Sequence, residues 1–133
     1  MDEELSPTMK QMKETCESIS DTLEGLVSGK LYDTETGELV DEKDVPEDHD
    51  EERYQGLYEY LFNDNLGVKI TSWLNGGYIS CEICVGWGGP NIYINTGTHA
   101  VEGYWFGERY TSYLTGDVCD AIDIEVEYII GEM

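Results

Sequence analysis

Val68-Lys69-Ile70-Thr71-Ser72-Trp73-Leu74, then Asn75-Gly76-Gly77, then Tyr78-Ile79-Ser80-Cys81-Glu82-Ile83-Cys84-Val85-Gly86-Trp87, is the stretch that decides the fold. Asn-Gly-Gly between two β-prone runs is a hairpin signal, because its residues accept the positive φ that tight turns need. In the second run Ile79, Cys81, Ile83, Val85 and Trp87 alternate onto one face, the period of a half-buried strand. Downstream, Gly88-Gly89-Pro90 turns the chain, Asn91 to Asn95 forms a third strand, Gly97 marks another turn, and Val101 to Phe106 forms a fourth. The sequence predicts a four-stranded antiparallel meander with one face packed on helices.

The C-terminal segment reads two ways. Ile122, Ile124, Val126, Tyr128 and Ile130 alternate like a strand, whereas Val118, Cys119, Ile122, Val126 and Ile129 fit a helix. Asp117 as N-cap, with acids in the first turn, favours the helix. Upstream, Ser6-Pro7 reads as N-cap and first helical residue. Met9, Met12, Cys16, Ile19, Leu23 and Leu26 recur every three or four residues, an apolar stripe on a helix reaching about Ser28, with Gly29 as its stop. Leu31 to Val40 reads as two short extended pieces around a glycine turn. Tyr54, Leu57, Tyr58, Leu61 and Phe62 mark a second helix ending near Asn65-Leu66-Gly67. The expected fold is a single α+β domain over residues 1–133, an acidic helical and loop front half (1–64) before a sheet core (65–133).

Charge bounds the function. The chain has 29 acids and 7 bases in 133 residues, a net charge of −22. Residues 1–64 hold 20 acids and 5 bases; residues 65–133 hold 9 and 2. Such a surface repels DNA, RNA and anionic membrane, which all need a basic footprint, and suits a basic partner such as a protein patch that normally holds nucleic acid. No apolar run approaches the roughly 20 residues of a membrane span. The acidic start Met1-Asp2-Glu3-Glu4 is unlike a signal peptide, so a cytoplasmic location is expected, with Cys16, Cys81, Cys84 and Cys119 reduced.

Motifs for chemistry are sparse. Cys81-Glu82-Ile83-Cys84 lies within a strand, where its side chains point to opposite faces, and no second pair or well-spaced His49 or His99 completes a zinc site. Counted from Asp33, a calcium loop would need glycine at the sixth position and glutamate at the twelfth, where Glu38 and Asp44 stand. Gly86, Gly88 and Gly89 are followed by Pro90 and a strand, not by the helix of a phosphate loop. Neither catalytic residues, a metal nor a cofactor is expected.

Interaction residues are easier to name. Glu14, Glu17, Asp21 and Glu24 form a stripe roughly 150° round the first helix from its apolar face. Asp41 to Glu52 carries eight acids in twelve residues, Asp44, Glu47, Asp48 and Asp50 among them. Tyr104, Trp105, Phe106, Tyr110 and Tyr113 form an aromatic cluster. With Glu102, Glu108 and Asp117 nearby, Trp105 and Tyr110 read as aromatic anchors inside an acidic rim.

At Gly88-Gly89-Pro90-Asn91-Ile92-Tyr93-Ile94-Asn95-Thr96, Val101-Glu102-Gly103-Tyr104-Trp105 and Cys119-Asp120-Ala121-Ile122-Asp123 the chain resembles small proteins of phages and mobile elements. In those, a GGPN strand, a GYW strand and a C-terminal helix follow one another. In size, acidity and lack of catalytic motifs it also resembles anti-CRISPR and anti-restriction proteins, several of which act as DNA mimics. That resemblance is one of physical type and carries over no residue roles. It implies a stoichiometric inhibitor of a nucleic-acid-binding bacterial enzyme, an RNA-guided nuclease before a restriction enzyme. A calcium-dependent interaction module built on residues 41–52 and a small hydrolase are the alternatives from other classes.

Overall fold

The first helix forms where its cap and its stripe agree. In the computed structural model, which describes residues 6–48, 52–63, 65–87 and 89–133, helix α1 spans Pro7–Val27. Ser6 Oγ accepts the Met9 N–H at 3.0 Å, and Gly29 leaves the helix at φ +106. Met12, Cys16, Leu23 and Leu26 are buried along one side. Strand β1 (Leu31–Asp33) and strand β2 (Glu38–Val40) make a hairpin whose turn holds Gly37 at φ +73. A side chain on Gly25 would collide with Leu39, so β2 sits directly against α1.

Tyr54, expected to open the second helix, is instead in a two-residue strand. Strand β3 (Tyr54–Gln55) pairs with the free edge of β1, Tyr32 opposite Gln55 and Asp33 opposite Tyr54. Tyr54 shares the helical period of Leu57 and Leu61, but the Arg53–Asp33 ion pair and the β1 edge hold it extended. Helix α2 is therefore short, Leu57–Phe62, with its start closed by the Gly56 N–H donating to Glu59 Oε1 at 3.2 Å.

The main sheet has five strands, not four. Strands β4 (Gly67–Ser72), β5 (Tyr78–Gly86), β6 (Asn91–Asn95), β7 (Ala100–Trp105) and β8 (Glu108–Tyr113) run antiparallel in sequence order. The added strand β8 follows a two-residue turn with Phe106 at φ +45 and Gly107 at φ +80, the backbone twist that joins adjacent strands tightly. Register places Val68, Ile83, Ile94, Val101 and Ser112 in one row across all five strands. This row lies on the core face. Ser20 of α1 donates to Ser112 Oγ at 2.8 Å, and a Cβ on Gly103 would sit 3.2 Å from Met12 Sδ and 3.3 Å from Cys16 Sγ. Glycine there lets α1 press onto the strand.

Two irregularities break the alternation of β5. Thr71 pairs with Ser80 and Ser72 with Tyr78, which leaves Ile79 as an extra residue; Val85 is extra at the far end in the same way. Each bulge shifts the side-chain phase by one. So Ile79 and Trp87, expected on the core face, are both exposed, Trp87 at 69%. Tyr78 takes the inward place and donates its hydroxyl to Asp123 Oδ1 at 2.5 Å.

The ambiguous C-terminal segment is helix α3 (Gly116–Glu132). Its N-cap is Thr115, not Asp117: Thr115 Oγ1 accepts the Val118 N–H at 3.3 Å, and Asp117 lies in the first turn. Val118, Cys119, Ile122 and Val126 join Cys16, Leu23, Ile83, Ile94 and Val101 in one core. The architecture is α+β: adjacent helices α1 and α3 cover one face of the five-stranded sheet, and the three-stranded sheet (order β2-β1-β3) flanks α1. Among the described residues no helix is long and apolar enough to cross a membrane.

Candidate interaction surfaces

Helices α1 and α3 bury apolar stripes in the same core, so both turn their polar sides outward together. On α1, Glu14, Asp21 and Glu24 are exposed and Glu17 is half-buried at the flank. On α3, Asp117, Asp120 and Glu127 are exposed on the outward side. Helix α1 carries four acids and two lysines, both lysines in its N-terminal half; α3 carries six acids and no base. The expected α1 stripe is thus one half of a larger acidic layer. The α3 half follows helical spacing and was hidden by the strand-or-helix ambiguity of that segment.

The acidic loop stands apart from this layer. Glu42–Asp44 forms one 3₁₀ turn, and Asp44, Glu47 and Asp48 are exposed; Asp50 lies outside the described residues. Among the described residues no three His, Cys, Asp or Glu side chains converge as metal ligands. The CxxC pair divides as strand geometry requires. Cys81 is in the core and Cys84 is half-buried on the opposite face, and all four cysteines are free thiols.

The second face of the main sheet is open and differs in chemistry. Register brings Lys69, Glu82 and Asn95 into one row, and Cys84, Tyr93, Glu102 and Thr111 into the next. Glu102, expected on an exposed rim, is only 4% exposed. Asn95 Nδ2 donates to its Oε1 at 3.1 Å, and Arg109 Nη2 stands 3.6 Å from Oε2. The guanidinium of Arg109 also lies 5.7 Å from the Tyr104 ring, which packs against Tyr93 with centroids 6.1 Å apart. Burial, then the nearby Glu102 charge, raises the Tyr104 hydroxyl pKa. Two depressions flank this pair. One of about 590 Å³ is lined by Lys69, Glu82, Cys84, Trp87 and Tyr93, and one of about 490 Å³ by Asn91, Trp105, Phe106 and Arg109.

The aromatic cluster read from sequence does not form as one group, because strand alternation splits it. Tyr110 packs on the core side. Tyr104 sits on the open face. Trp105 is half-buried, with Phe106 edge-on at 4.4 Å, and Tyr113 is exposed. Glu108 is half-buried and accepts the Ser6 hydroxyl at 2.6 Å, joining β8 to the start of α1. The open face therefore balances Glu82 and Glu102 against Lys69 and Arg109, while the helical face is acidic apart from Lys10 and Lys13, with Ile124 and Tyr128 exposed among its acids. No family model, curated protein or solved structure matches the chain.

Proposed function

We propose that the chain is a stoichiometric inhibitor of a basic, nucleic-acid-binding bacterial enzyme, and acts as an acidic mimic of nucleic acid. An RNA-guided nuclease, as for an anti-CRISPR protein, is the first target class, and a restriction enzyme the second. One observation carries the reading: Glu14, Asp21 and Glu24 of α1 and Asp117, Asp120 and Glu127 of α3 are exposed acids on adjacent helices of a single layer. Three exposed acids over residues 14–24 and three over residues 117–127 give about one carboxylate per 5 Å of each helix axis, at 1.5 Å rise per residue. Each DNA strand offers one phosphate per about 3.4 Å. Two adjacent helices thus reach the charge density of a nucleic acid strand without a single special pair. Lys and Arg side chains placed for phosphates accept carboxylates with comparable charge-assisted geometry.

The test is displacement of labelled duplex DNA from an RNA-guided nuclease, or from a restriction enzyme, by an equimolar amount of the protein. Displacement should weaken markedly between about 50 and 500 mM salt. A variant with Glu14→Gln, Asp21→Asn, Glu24→Gln, Asp117→Asn, Asp120→Asn and Glu127→Gln keeps the buried stripes intact. It should lose at least tenfold in potency, about 1.4 kcal/mol. A folded variant that displaces as well as the parent would sink the mimicry, as would failure to displace DNA from either enzyme class. Neutralising Asp44, Glu47 and Asp48 together, as a separate variant, measures the loop's share.

A further inference from the structure

The two edges of the main sheet are treated differently. Strand β8 carries Glu108 and Arg109 at its start, and α1 lies against it. Strand β4 has no such protection. All six of its residues are exposed, Val68 at 39% and Ile70 at 48%, and Trp73 and Leu74 continue the exposed apolar run. It contains no proline, and the extra residue of the nearby bulge, Ile79, belongs to β5. The Leu66 amide donates to the Cys84 carbonyl at 2.8 Å. The Thr96 amide donates to the Cys81 carbonyl at 3.0 Å, so Cys81 faces β6, and Glu82 and Cys84 face β4. Antiparallel alternation then turns the N–H and C=O of Val68, Ile70 and Ser72 away from β5, towards the edge. Natural proteins guard such an edge or use it for pairing.

Charge identifies the occupant. Residues 65–81 contain no acid and one base, Lys69, in a chain with 29 acids. A basic partner finds nothing to hold there. A second copy, repelled elsewhere by its own −22, meets the least like charge at this edge, because screening over about 10 Å leaves mainly local charges to act.

We propose that two copies of this chain pair β4 with β4 antiparallel, about a two-fold axis at Ile70, which joins the two five-stranded sheets edge to edge. The register follows from pairing rules. An axis at Lys69 would set two ammonium groups directly opposite each other, which is unfavourable. An axis at Ile70 places Lys69 opposite Thr71 of the second copy, while the two Ile70 residues exchange both backbone hydrogen bonds and Val68 does the same with Ser72 of the second copy, twice by symmetry. It also sets the two Ile70 side chains side by side on one face of the joined sheet. This dimer does not depend on the inhibitory role, and its salt response has the opposite sign: screening the mutual repulsion tightens it.

Sedimentation or light scattering on the full chain should show a dimer whose association constant rises several-fold between about 50 and 500 mM salt. Ile70→Lys, at an exposed position, should give a monomer with unchanged circular dichroism. Ile70→Cys should cross-link two copies under mild oxidation, since directly opposed residues with Cα atoms about 5.5 Å apart are within disulfide reach. Thr71→Cys, facing Lys69, should cross-link far more slowly. A monomer at both salt concentrations, an Ile70→Lys dimer as tight as the parent, or equal cross-linking by the two cysteine variants would overturn the proposal.

Discussion

Asp33 receives three donors on one carboxylate: Arg53 Nε and Nη2, each at 2.9 Å, and the Glu35 N–H at 3.0 Å. Its side chain is nearly inaccessible, and Thr34 bonds the Arg53 carbonyl, so β1, its turn and β3 close around one ion pair. The Arg53 hydrogen bonds come first among the causes that hold this carboxyl well below its ordinary range. A carboxyl depressed in the folded state contributes stability above its unfolded pKa of about 3.9, and that contribution fades as pH falls from there towards the folded value. Asp33→Asn should therefore lower the urea midpoint at pH 7, with the gap between variant and parent closing as pH drops below about 4. Comparing the two proteins cancels the response of the remaining acids. A gap independent of pH would mean that Asp33 acts by shape and not by charge. None of this pairing was legible in the sequence, because the partners lie twenty residues apart across the acidic loop. Glu102 was misread for a similar reason: the residues that shield it, Asn95 and Arg109, come from neighbouring strands.

At the scale of elements, legibility followed local signal strength. Helix α1 was readable end to end from Ser6-Pro7, its stripe and Gly29, and the β4–β5 hairpin from Asn75-Gly76-Gly77. Strand β8 was missed because its sequence, Glu-Arg-Tyr-Thr-Ser-Tyr, alternates weakly and its turn is Phe106-Gly107 where Asn-Gly is the usual signal. The bulges at Ile79 and Val85 were invisible to a period of two, so the face of Tyr78 and Trp87 came out reversed. The Phe106 turn also carries a stability consequence. Phe106 holds φ +45 although it is 87% exposed. The left-handed conformation costs a side-chain-bearing residue roughly 1–2 kcal/mol, whereas its exposed edge-on packing with Trp105 returns about 0.5 kcal/mol, the low end for aromatic pairs. Phe106→Asn, a residue that tolerates this conformation, should stabilise the protein by about 0.5–1 kcal/mol, visible as a raised urea midpoint at unchanged slope. A lowered midpoint would show that the ring packs better than its exposure implies.

The whole molecule separates its surface chemistry: acids on the helical layer, balanced charge and aromatics on the open sheet face, and an acid-free strand edge. Sequence showed the excess of acid but not this segregation, which depends on α1 and α3 sharing one core. That same core sets the accessibility of the thiols. Cys16, Cys81 and Cys119 are sealed in it, and burial pushes Cys16 and Cys119 up to about 11 and raises Cys81 as well. Since thiolate is the reactive form, these three are doubly protected. Cys84, half-buried on the open face, donates to the Gly86 carbonyl at 3.6 Å and is the one thiol left for a reagent to reach. A coloured aromatic disulfide should therefore titrate one sulfur per native chain and all four once urea unfolds it. The protein thus carries its own fold counter, in which the number of reactive sulfurs per molecule reports the folded fraction without an added label.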